Sequence, residues 1–570
     1  MSEDPLQRIL GFIKNRFWNS LTRRLDAEVI QLAVKDTKVS GRGDGAPTIY
    51  VPHSAEKQLS YYNRIAEQRP NLGLRVVSLP PKIDNGVYKI LLEEPGLLAL
   101  DTEEYVDPDT GATESRAVPF VVPGGRFNEF FGWDSYFMGL GLLKSDRTDL
   151  VKGILKNWAF EIQHYGLIPN ANRSYLSLRS QPPFVTDLAV KLYDATKSEP
   201  DAKELLRVFL QAAIKEYHQV WMSHPRLDPV TGLSKYCPVG GYGIPREVEP
   251  GHFDSVLKPY AERYGLTIAE FTEKFDNQEL HEPELENYLQ HDRGVRESGH
   301  DTSTRLDGRA ANLAIQDLNF CLYKYETDLA AAIETVFGGT LEVSLESQIP
   351  SSAEDAKAST WRQRAKTRKK AVDKYLWNEE KGSYFDYDVT IKAQITSESA
   401  TCLWALWCGI ASQEQAKQIV SRSLSYFECY GGLATTSAET ANEGSASSHG
   451  RQWDYPVGWA PHQMLAWEGL ARYGFKEDAS RIAYRWLYTV LKVFVDHNGA
   501  VCEKYNVVSK KDQHKVDAEY GNQGTDFVGY PKEGFGWTNA SFVCGLQFLT
   551  PEMLQALTKC VPYDSIGKTD

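Results

Sequence analysis

The chain has 570 residues and a net charge of −13, with acidic and basic residues interspersed along its length. This negative balance disfavours a nucleic acid partner, because binding to phosphates needs a basic surface. No apolar stretch reaches the roughly 20 residues that span a bilayer and the first residues lack the features of a secretory signal, so we expect a cytoplasmic protein without a membrane partner.

Helical periodicity occurs along most of the chain, whereas strand-like alternation is rare. We predict helices at about 8–20, 134–144, 151–162, 184–196, 201–221, 306–324, 353–376, 396–408, 413–423, 457–473, 479–494 and 536–548. A turn followed by a short strand is predicted at about 381–387.

No internal repeat is visible, and no flexible linker divides the helical region. We therefore expect one helical domain at 123–549, which carries the catalytic candidates described below. An N-terminal helical lead-in is expected at 1–45, a loop-rich segment packed on the helical domain at 46–122, and a C-terminal tail at 550–570.

Two segments rich in Gly, Pro, Trp, Asp and Arg stand out, one from Pro123 to Tyr136 and the other from Gln452 to Pro461. Tryptophan offers a flat apolar face, Asp and Arg offer charged hydrogen bonds to hydroxyl groups, and Gly and Pro hold fixed loops between helices. This combination indicates two walls of a polar cleft that binds a sugar.

The sequence contains no phosphate-binding loop, no Gly-x-Ser-x-Gly motif and no His-Glu-x-x-His motif. Its eight cysteines form no Cys-x-x-Cys pair, which predicts reduced thiols and no metal site. The chemistry must therefore come from carboxyl groups. Glycoside hydrolysis typically uses one carboxylic acid to protonate the leaving oxygen and a second carboxylate to activate water or to attack directly.

Two carboxyl groups are candidates, and each has a structural alternative. Asp301 follows a glycine before a helical stretch, where an Asp can project into a cleft or simply cap the helix. Glu297, four residues earlier, is expected to share a helical face with Asp301. Glu503 is followed by Lys504, and such a pair is most often an ordinary surface ion pair.

The segments around these residues resemble the motifs of the trehalases of glycoside hydrolase family 37. The resemblance runs from about Leu21 to Leu549 and is most like the catalytic region of the fungal neutral trehalases. It implies an all-α fold, an (α/α)6 toroid with short strands and long loops around the cleft.

The resemblance also implies the reaction and its catalytic residues. Asp301 matches the general acid, and Glu503, in the segment Val501 to Val507, matches the base that activates water. The reaction implied is inverting hydrolysis of α,α-trehalose to two glucose molecules, with no cofactor for catalysis. Many family members have Trp immediately before the acid, whereas this chain has His300. The resemblance therefore does not predict how the wall of the acid's pocket is formed.

Further family positions line the sugar site. The matching residues of this chain are Arg126, Trp133, Asp134, Asn170, Arg179, Gln181, Glu247, Arg296, Gly299, Trp453 and Asp454. Guanidinium and amide groups of this kind suit neutral hydroxyls. In the fungal relatives the resemblance also implies regulation by calcium and by 14-3-3 proteins through an N-terminal extension that this chain lacks.

Two alternatives remain at this stage. One is another inverting α-glucosidase on the same fold, acting on a related glucoside. The other is a non-catalytic sugar-binding relative, which would keep the Trp and Arg residues but lose a carboxyl group; the presence of both Asp301 and Glu503 disfavours it.

Overall fold

The computed structural model describes residues 4–33, 46–241, 243–245, 248, 251–342, 353–443, 450–518 and 533–567. None of the helices in these residues is long and apolar enough to cross a lipid bilayer.

The first part of the chain combines helices with short strands. Its elements are α1 (Pro5–Phe12), α2 (Trp18–Leu21), β1 (Thr22–Arg24), α3 (Ala27–Ala33), β2 (Thr48–Pro52), α4 (Glu56–Gln68), β3 (Arg75–Leu79), α5 (Asn85–Glu93), β4 (Leu97–Leu98), β5 (Thr102–Val106), β6 (Thr113–Ala117) and β7 (Pro119–Val121). A π-helical turn joins α1 to α2. β2 lies between β3 and β4 in a parallel sheet, while β1 pairs with β7 and β5 pairs with β6 in antiparallel ladders. The segment 46–122 thus contains α4, α5 and the six strands β2 to β7, joined by loops.

Helices dominate the rest of the chain. The elements are α6 (Gly132–Lys144), α7 (Thr148–His164), α8 (Val185–Thr196), α9 (Ala202–Glu216), α10 (Asp254–Tyr264), α11 (Ile268–Asp276), α12 (Pro283–Glu297), β8 (Leu313–Ala314), α13 (Gln316–Thr335), α14 (Ala358–Tyr375), β9 (Trp377–Asn378), β10 (Ser383–Tyr384), β11 (Asp386–Asp388), β12 (Ala393–Ile395), α15 (Trp404–Cys408), α16 (Gln413–Gln418), α17 (Leu424–Phe427), β13 (Glu428–Cys429), β14 (Gly432–Leu433), α18 (Ala438–Asn442), β15 (Val457–Trp459), α19 (Ala460–Arg472), α20 (Lys476–Asp496), β16 (Lys504–Asn506), α21 (Gly536–Gly545) and α22 (Pro551–Thr558).

Within the described residues, α6, α8, α13, α15, α19 and α21 form an inner ring in which each helix packs against the next and α21 packs against α6. These helices are buried on nearly all sides, as expected for helices at the centre of a large core. Ring closure needs close backbone approach, because a Cβ atom added at Gly141 of α6 would lie 2.5 Å from Cα of Ala540 in α21.

The outer helices are amphipathic. α7 packs against α6 and α8, α9 against α8, α14 against α13, and α20 against α19 and α21. The apolar stripes predicted for α7 and α20 face this core, with Trp158 and Trp486 fully buried. The arrangement of inner and outer helices is an (α/α)6 toroid.

The N-terminal helical run 5–21 lies beside this ring. α1 packs against α20 and α22, and Trp18 donates a hydrogen bond of 3.0 Å from Nε1 to Oγ of Ser145, directly after α6. Its apolar residues belong to the same buried core as the toroid. The run therefore bridges α20 and α22, near the end of the described chain, and the end of α6.

The helix predicted at 306–324 is displaced. It begins at Gln316 and continues to Thr335, because the preceding residues form turns and strand β8, which pairs with β11. Arg305 fixes this turn by donating to the buried carboxylate of Asp386 at 2.6 and 2.8 Å. Periodicity missed this displacement because the buried residues Leu306, Ala310 and Leu313 recur at helical spacing although they lie in turns and in β8.

Glu161 on α7 is 1% exposed, and its carboxyl oxygens have no hydrogen-bond partner among the described residues. Burial raises its pKa well above the usual range, so the folded protein holds it protonated. Unfolding restores a pKa of about 4.3. As the pH rises, only the unfolded state loses this proton, and stability falls until the pH passes the folded pKa.

We expect Glu161→Leu, which removes the buried acid, to gain stability over the wild type as the pH rises. Between the two pKa values, the difference in free energy of unfolding should grow by up to about 1.4 kcal/mol per pH unit. Urea unfolding at pH 5, 6, 7 and 8 measures it. The control is Glu67→Leu, at an exposed position of α4. Its difference from the wild type in free energy of unfolding should stay the same from pH 5 to pH 8. If the difference for Glu161→Leu were also independent of pH, the prediction would be wrong.

Candidate active site

A cavity of about 320 Å³ opens at the N-terminal ends of α6 and α21. The predicted site residues that line it are Arg126, Trp133, Asp134, Asn170, Arg179, Gln181, Arg296, Gly299, Asp301, Trp453 and Glu503. These residues come from segments spread over most of the chain, and the toroid brings them together.

The first wall combines the start of α6 with the loop 168–181. The backbone N–H of Trp133 donates to Oε1 of Gln181 at 2.9 Å, and the N–H of Gly132 donates to the carbonyl of Asn170 at 3.2 Å. Nδ2 of Asn170 in turn donates to the carbonyl of Arg296 at 3.2 Å. The amides thus hold the loop, α6 and the end of α12 in one arrangement.

Asp301 follows a tight turn at the end of α12. Gly299 has a φ of +76°, and a Cβ atom there would lie 2.7 Å from the Trp133 ring, so only glycine fits. The Asp301 side chain is 38% exposed, and its Oδ2 lies 3.9 Å from Nη1 of Arg296. The acid candidate is therefore open to the cavity and beside a cation.

Arg296 is itself oriented by neighbours. Its Nε and Nη2 donate to the Asp292 carboxylate at 2.9 and 3.2 Å, and Nη2 lies 3.3 Å from Nε2 of His252. A guanidinium held by a fork-like pair of hydrogen bonds has little rotational freedom left. Arg296 is thereby held at a set position near Asp301.

Glu297 does not share a face with Asp301, because α12 ends at Glu297 and the chain then leaves the helix. Its buried carboxylate accepts a hydrogen bond of 3.1 Å from Nε of Arg226 and another of 3.1 Å from the N–H of Ser180. The role of Glu297 is thus to anchor α12 to the loop 168–181, and its charge is matched by Arg226.

Glu503 immediately precedes β16, which pairs antiparallel with β15, Trp459 lying opposite Lys504. The pair Glu503 and Lys504 is not a surface pair, because the side chains are only 13% and 1% exposed, with Nζ 3.1 Å from Oε2. Burial lowers the pKa of Lys504, and the Glu503 carboxylate opposes that shift.

Gln452 bridges the two candidate carboxyl segments. Its Oε1 accepts a hydrogen bond of 2.9 Å from Nζ of Lys504, and its Nε2 donates to the backbone carbonyl of Asp301. Next to it, the N–H of Trp453 donates to the carbonyl of Thr302 at 2.9 Å. A single amide therefore connects the segment of the acid to that of the base.

Four tryptophans form an aromatic wall in this part of the described structure. The rings of Trp453 and Trp459 are stacked, with centroids 4.0 Å apart, and Trp133 and Trp537 lie within 6.3 Å of Trp453. All four line the cavity. Flat apolar faces beside hydrogen-bonding groups suit a pyranose ring.

His300 packs behind this wall, its ring centroid 5.3 Å from that of Trp133 and 4.9 Å from that of Trp453. Burial, reinforced by the charge of Arg305, lowers its pKa to about 3. The imidazole is therefore neutral and fills this position as an aromatic ring.

Asp134 is a third carboxyl group in the cavity. Burial raises its pKa to about 8, and the negative charges of Glu503 and Asp301 add to that effect. The group is thus protonated at neutral pH and can donate as well as accept a hydrogen bond.

One of the predicted binding residues that the structure describes does not line the cavity. Asp454 does not line the cavity; its buried carboxylate accepts hydrogen bonds from Oγ of Ser303 at 2.8 Å and from the N–H of Thr304 at 3.0 Å, so it supports the chain after Asp301. Glu247 lies outside the described residues.

Several cavity residues were not predicted. They are Phe127, Asn128, Glu129, Arg173, Tyr175, Gln452, Trp459, Lys504, Phe535 and Trp537, among others. Gln452, Trp459 and Lys504 lie inside the segments that sequence analysis selected. Glu129 and Arg173 form a buried ion pair, and nothing in their local sequence distinguishes such a pair from a surface one.

The chain is similar to known trehalases over nearly its whole length. The Trehalase family model matches residues 1–550. A cytosolic neutral trehalase of Neurospora crassa is 50% identical over 571 residues, which cover 100% of this chain and 76% of that protein. A cytosolic neutral trehalase of Saccharomyces cerevisiae is 47% identical over 564 residues, which cover 99% of this chain and 74% of that protein.

The solved structure of a neutral trehalase from Saccharomyces cerevisiae matches with a TM-score of 0.89 and 45% identity, covering 99% of this chain and 98% of that one. The predicted all-α (α/α)6 fold is thereby confirmed. With a family model that matches nearly its whole length and relatives at about half identity, the chain belongs to the Trehalase family.

Proposed function

We propose that this protein hydrolyses α,α-trehalose to two glucose molecules with inversion of configuration. The observation that carries the proposal is that the carboxyl groups of Asp301 and Glu503, far apart in the sequence, line the same cavity. Its volume of about 320 Å³ is at the lower end of the range for ligand sites, which favours a disaccharide over a longer glucan.

The relatives support this substrate and a cytoplasmic location, since the proteins compared above are named cytosolic neutral trehalases. Carboxyl groups alone perform this type of hydrolysis, so the proposed mechanism uses no cofactor.

Asp301 is the general acid in this mechanism. It donates a proton to the glycosidic oxygen, so that the leaving glucose departs as a neutral alcohol. Its position after the Gly299 turn leaves the carboxyl open to the cavity. Arg296, held by Asp292, stabilises the carboxylate that forms when the proton has left.

Glu503 is the general base. Its carboxylate removes a proton from a water molecule that attacks the anomeric carbon from the opposite side of the ring. The ammonium of Lys504 donates a hydrogen bond of 3.1 Å to Oε2 and so holds the side chain of Glu503 in place. Because Lys504 is also held by Gln452, the base is oriented relative to the acid segment.

Substrate recognition uses the remaining cavity groups. The four tryptophans contact the apolar faces of the sugar rings, while Arg126, Asn170, Arg179 and Gln181 bind hydroxyl groups. A hydroxyl in the wrong position leaves a buried donor unmatched, at a cost of about 1–3 kcal/mol. The site should therefore discriminate against other glucosides.

The alternatives are weaker on these observations. A non-catalytic sugar-binding protein has no need for two carboxyl groups in the cavity. Another inverting α-glucosidase is distinguished from a trehalase by comparing the cleavage of trehalose with that of maltose and sucrose, as described below. The domain boundaries and regulation by calcium or 14-3-3 proteins stay predictions, since none of the contacts described here bears on them.

The first test follows the products by proton NMR. Trehalose should at first release one α-glucose and one β-glucose, because inversion changes the configuration of only the attacked ring. Maltose and sucrose, as control substrates, should be cleaved far more slowly. Two α-glucose molecules would mean retention, and equal cleavage of maltose would favour the alternative α-glucosidase.

The second test separates the acid from the base. Asp301→Asn and Glu503→Gln should each lower kcat on trehalose by about 10²–10⁴, the usual contribution of general acid or base catalysis. On α-glucosyl fluoride, whose leaving group needs no proton, Asp301→Asn should recover much of the loss, whereas Glu503→Gln should stay impaired. Steady-state kinetics on both substrates provide the measurement.

A matched control for both variants is Asp307→Asn, which changes a carboxylate near Asp301 that lies outside the cavity and pairs with Arg451 at 3.0 Å. It should retain wild-type kinetics. If Glu503→Gln rather than Asp301→Asn recovered on the fluoride, the two roles would have to be exchanged.

The third test uses the raised pKa of Asp134. Below about pH 8 its carboxyl is protonated and resembles the neutral amide of Asp134→Asn, so the variant should keep kcat/KM within about tenfold of the wild type. Above pH 8 only the wild type gains a further negative charge beside Asp301 and Glu503. The ratio of variant to wild-type kcat/KM should therefore rise from pH 7 to 9.

The measurement is kcat/KM for trehalose across this pH range, with Asp307→Asn as the control whose ratio stays flat. A flat ratio for Asp134→Asn as well would show that Asp134 does not ionise near pH 8 in the free enzyme.

A further inference from the structure

Two histidines and an aspartate meet on the far side of the base segment. His497 directly follows α20, and Asp512 and His514 lie in the loop after β16. One nitrogen of each ring and one carboxylate oxygen all lie within 4.8 Å of one another. None of the three residues lines the catalytic cavity.

The chemistry of these groups suits a divalent transition metal ion. Two imidazoles and one carboxylate match the ligands that Zn²⁺ takes in open sites, where water fills the fourth position. The ring centroids of His497 and His514 are 4.1 Å apart, a separation at which two charged imidazoles repel.

The distances require only a small adjustment. Ligand atoms at about 2.0–2.1 Å from a tetrahedral Zn²⁺ lie roughly 3.3 Å apart, compared with up to 4.8 Å here. Asp512 can supply the movement, because its side chain is 58% exposed and its ion pair with Lys515, 3.4 Å long, is at the surface. An exposed ion pair of this kind contributes little to stability, so Asp512 can give up Lys515 for a metal ion at little cost.

The backbone on both sides is already fixed. The N–H of His497 donates to the carbonyl of Val493 at 2.9 Å, and the N–H of Asn506 donates to the carbonyl of Gln513 at 2.8 Å. The second bond closes the loop that carries Asp512 and His514. The ligands are therefore held near one another before any metal binds, which lowers the entropic cost of binding.

We propose that His497, Asp512 and His514 form a binding site for Zn²⁺ or a similar divalent transition metal ion, separate from the catalytic cavity. The bound ion would join the end of α20 to the loop that follows β16, and so would stabilise the segment that leads away from Glu503. The proposal does not depend on the reaction assigned above.

The test uses the full chain, freed of metal by a chelator, and titrates it with Co²⁺ as a spectroscopic probe and then with Zn²⁺ as competitor. We expect one Co²⁺ per chain with the visible absorption of a near-tetrahedral site, displaced by Zn²⁺. His497→Ala and Asp512→Ala, which change the two more accessible ligands, should each weaken binding at least about tenfold. Zn²⁺ should also raise the Tm of the wild type but not of these variants.

The control is His281→Ala, which removes an imidazole that is 76% exposed and pairs with Glu286. It should bind both metals like the wild type. The proposal is overturned if Co²⁺ gives no such absorption, or if the His497 and Asp512 variants bind with unchanged affinity, which would place the ion at other surface histidines.

Discussion

Buried ion pairs fix the chain on both sides of Asp301, and the geometry of the site depends on them. Before it, Glu297 is joined to Arg226; after it, Arg305 is joined to Asp386 and, at 2.8 Å, to Asp317. A charge removed from water costs several kcal/mol unless a partner compensates for it, so each of these pairs strongly disfavours any rearrangement that separates its members. The intervening turn can therefore leave the acid itself partly exposed while its backbone stays in place.

The uncharged side chain of Gln452 extends this fixed arrangement to the segment of the base. The amide of Gln452 joins the carbonyl of Asp301 to the ammonium of Lys504, which neutralises Glu503. An amide is suited to this position because it accepts from a cation and donates to a carbonyl at once. Gln452 thus contacts both carboxyl segments, and a change at this residue would disturb both together.

Sequence patterns predicted the outer helices well and the contacts of the site less well. The stripes of α7 and α20 were visible because one face of each helix is polar. The helices α10 to α12 were missed, and α13 begins later than predicted because turns and the short strand β8 precede it. The segments around Asp301 and Glu503 were recognisable as motifs. The positions of Asp454 and Glu297, and the meeting of His497 with His514, depend on partners distant in the chain, which local spacing does not report.

The position of the helical run 5–21 also has a consequence for how the protein is made. α1 packs on α20 and α22, so this helix is translated long before the two helices on which it docks. Until then its apolar face has no native neighbour, and contacts of such large sequence separation form slowly. A nascent chain of this protein must therefore keep α1 protected from aggregation until α20 and α22 have been synthesised, a task for which molecular chaperones are suited.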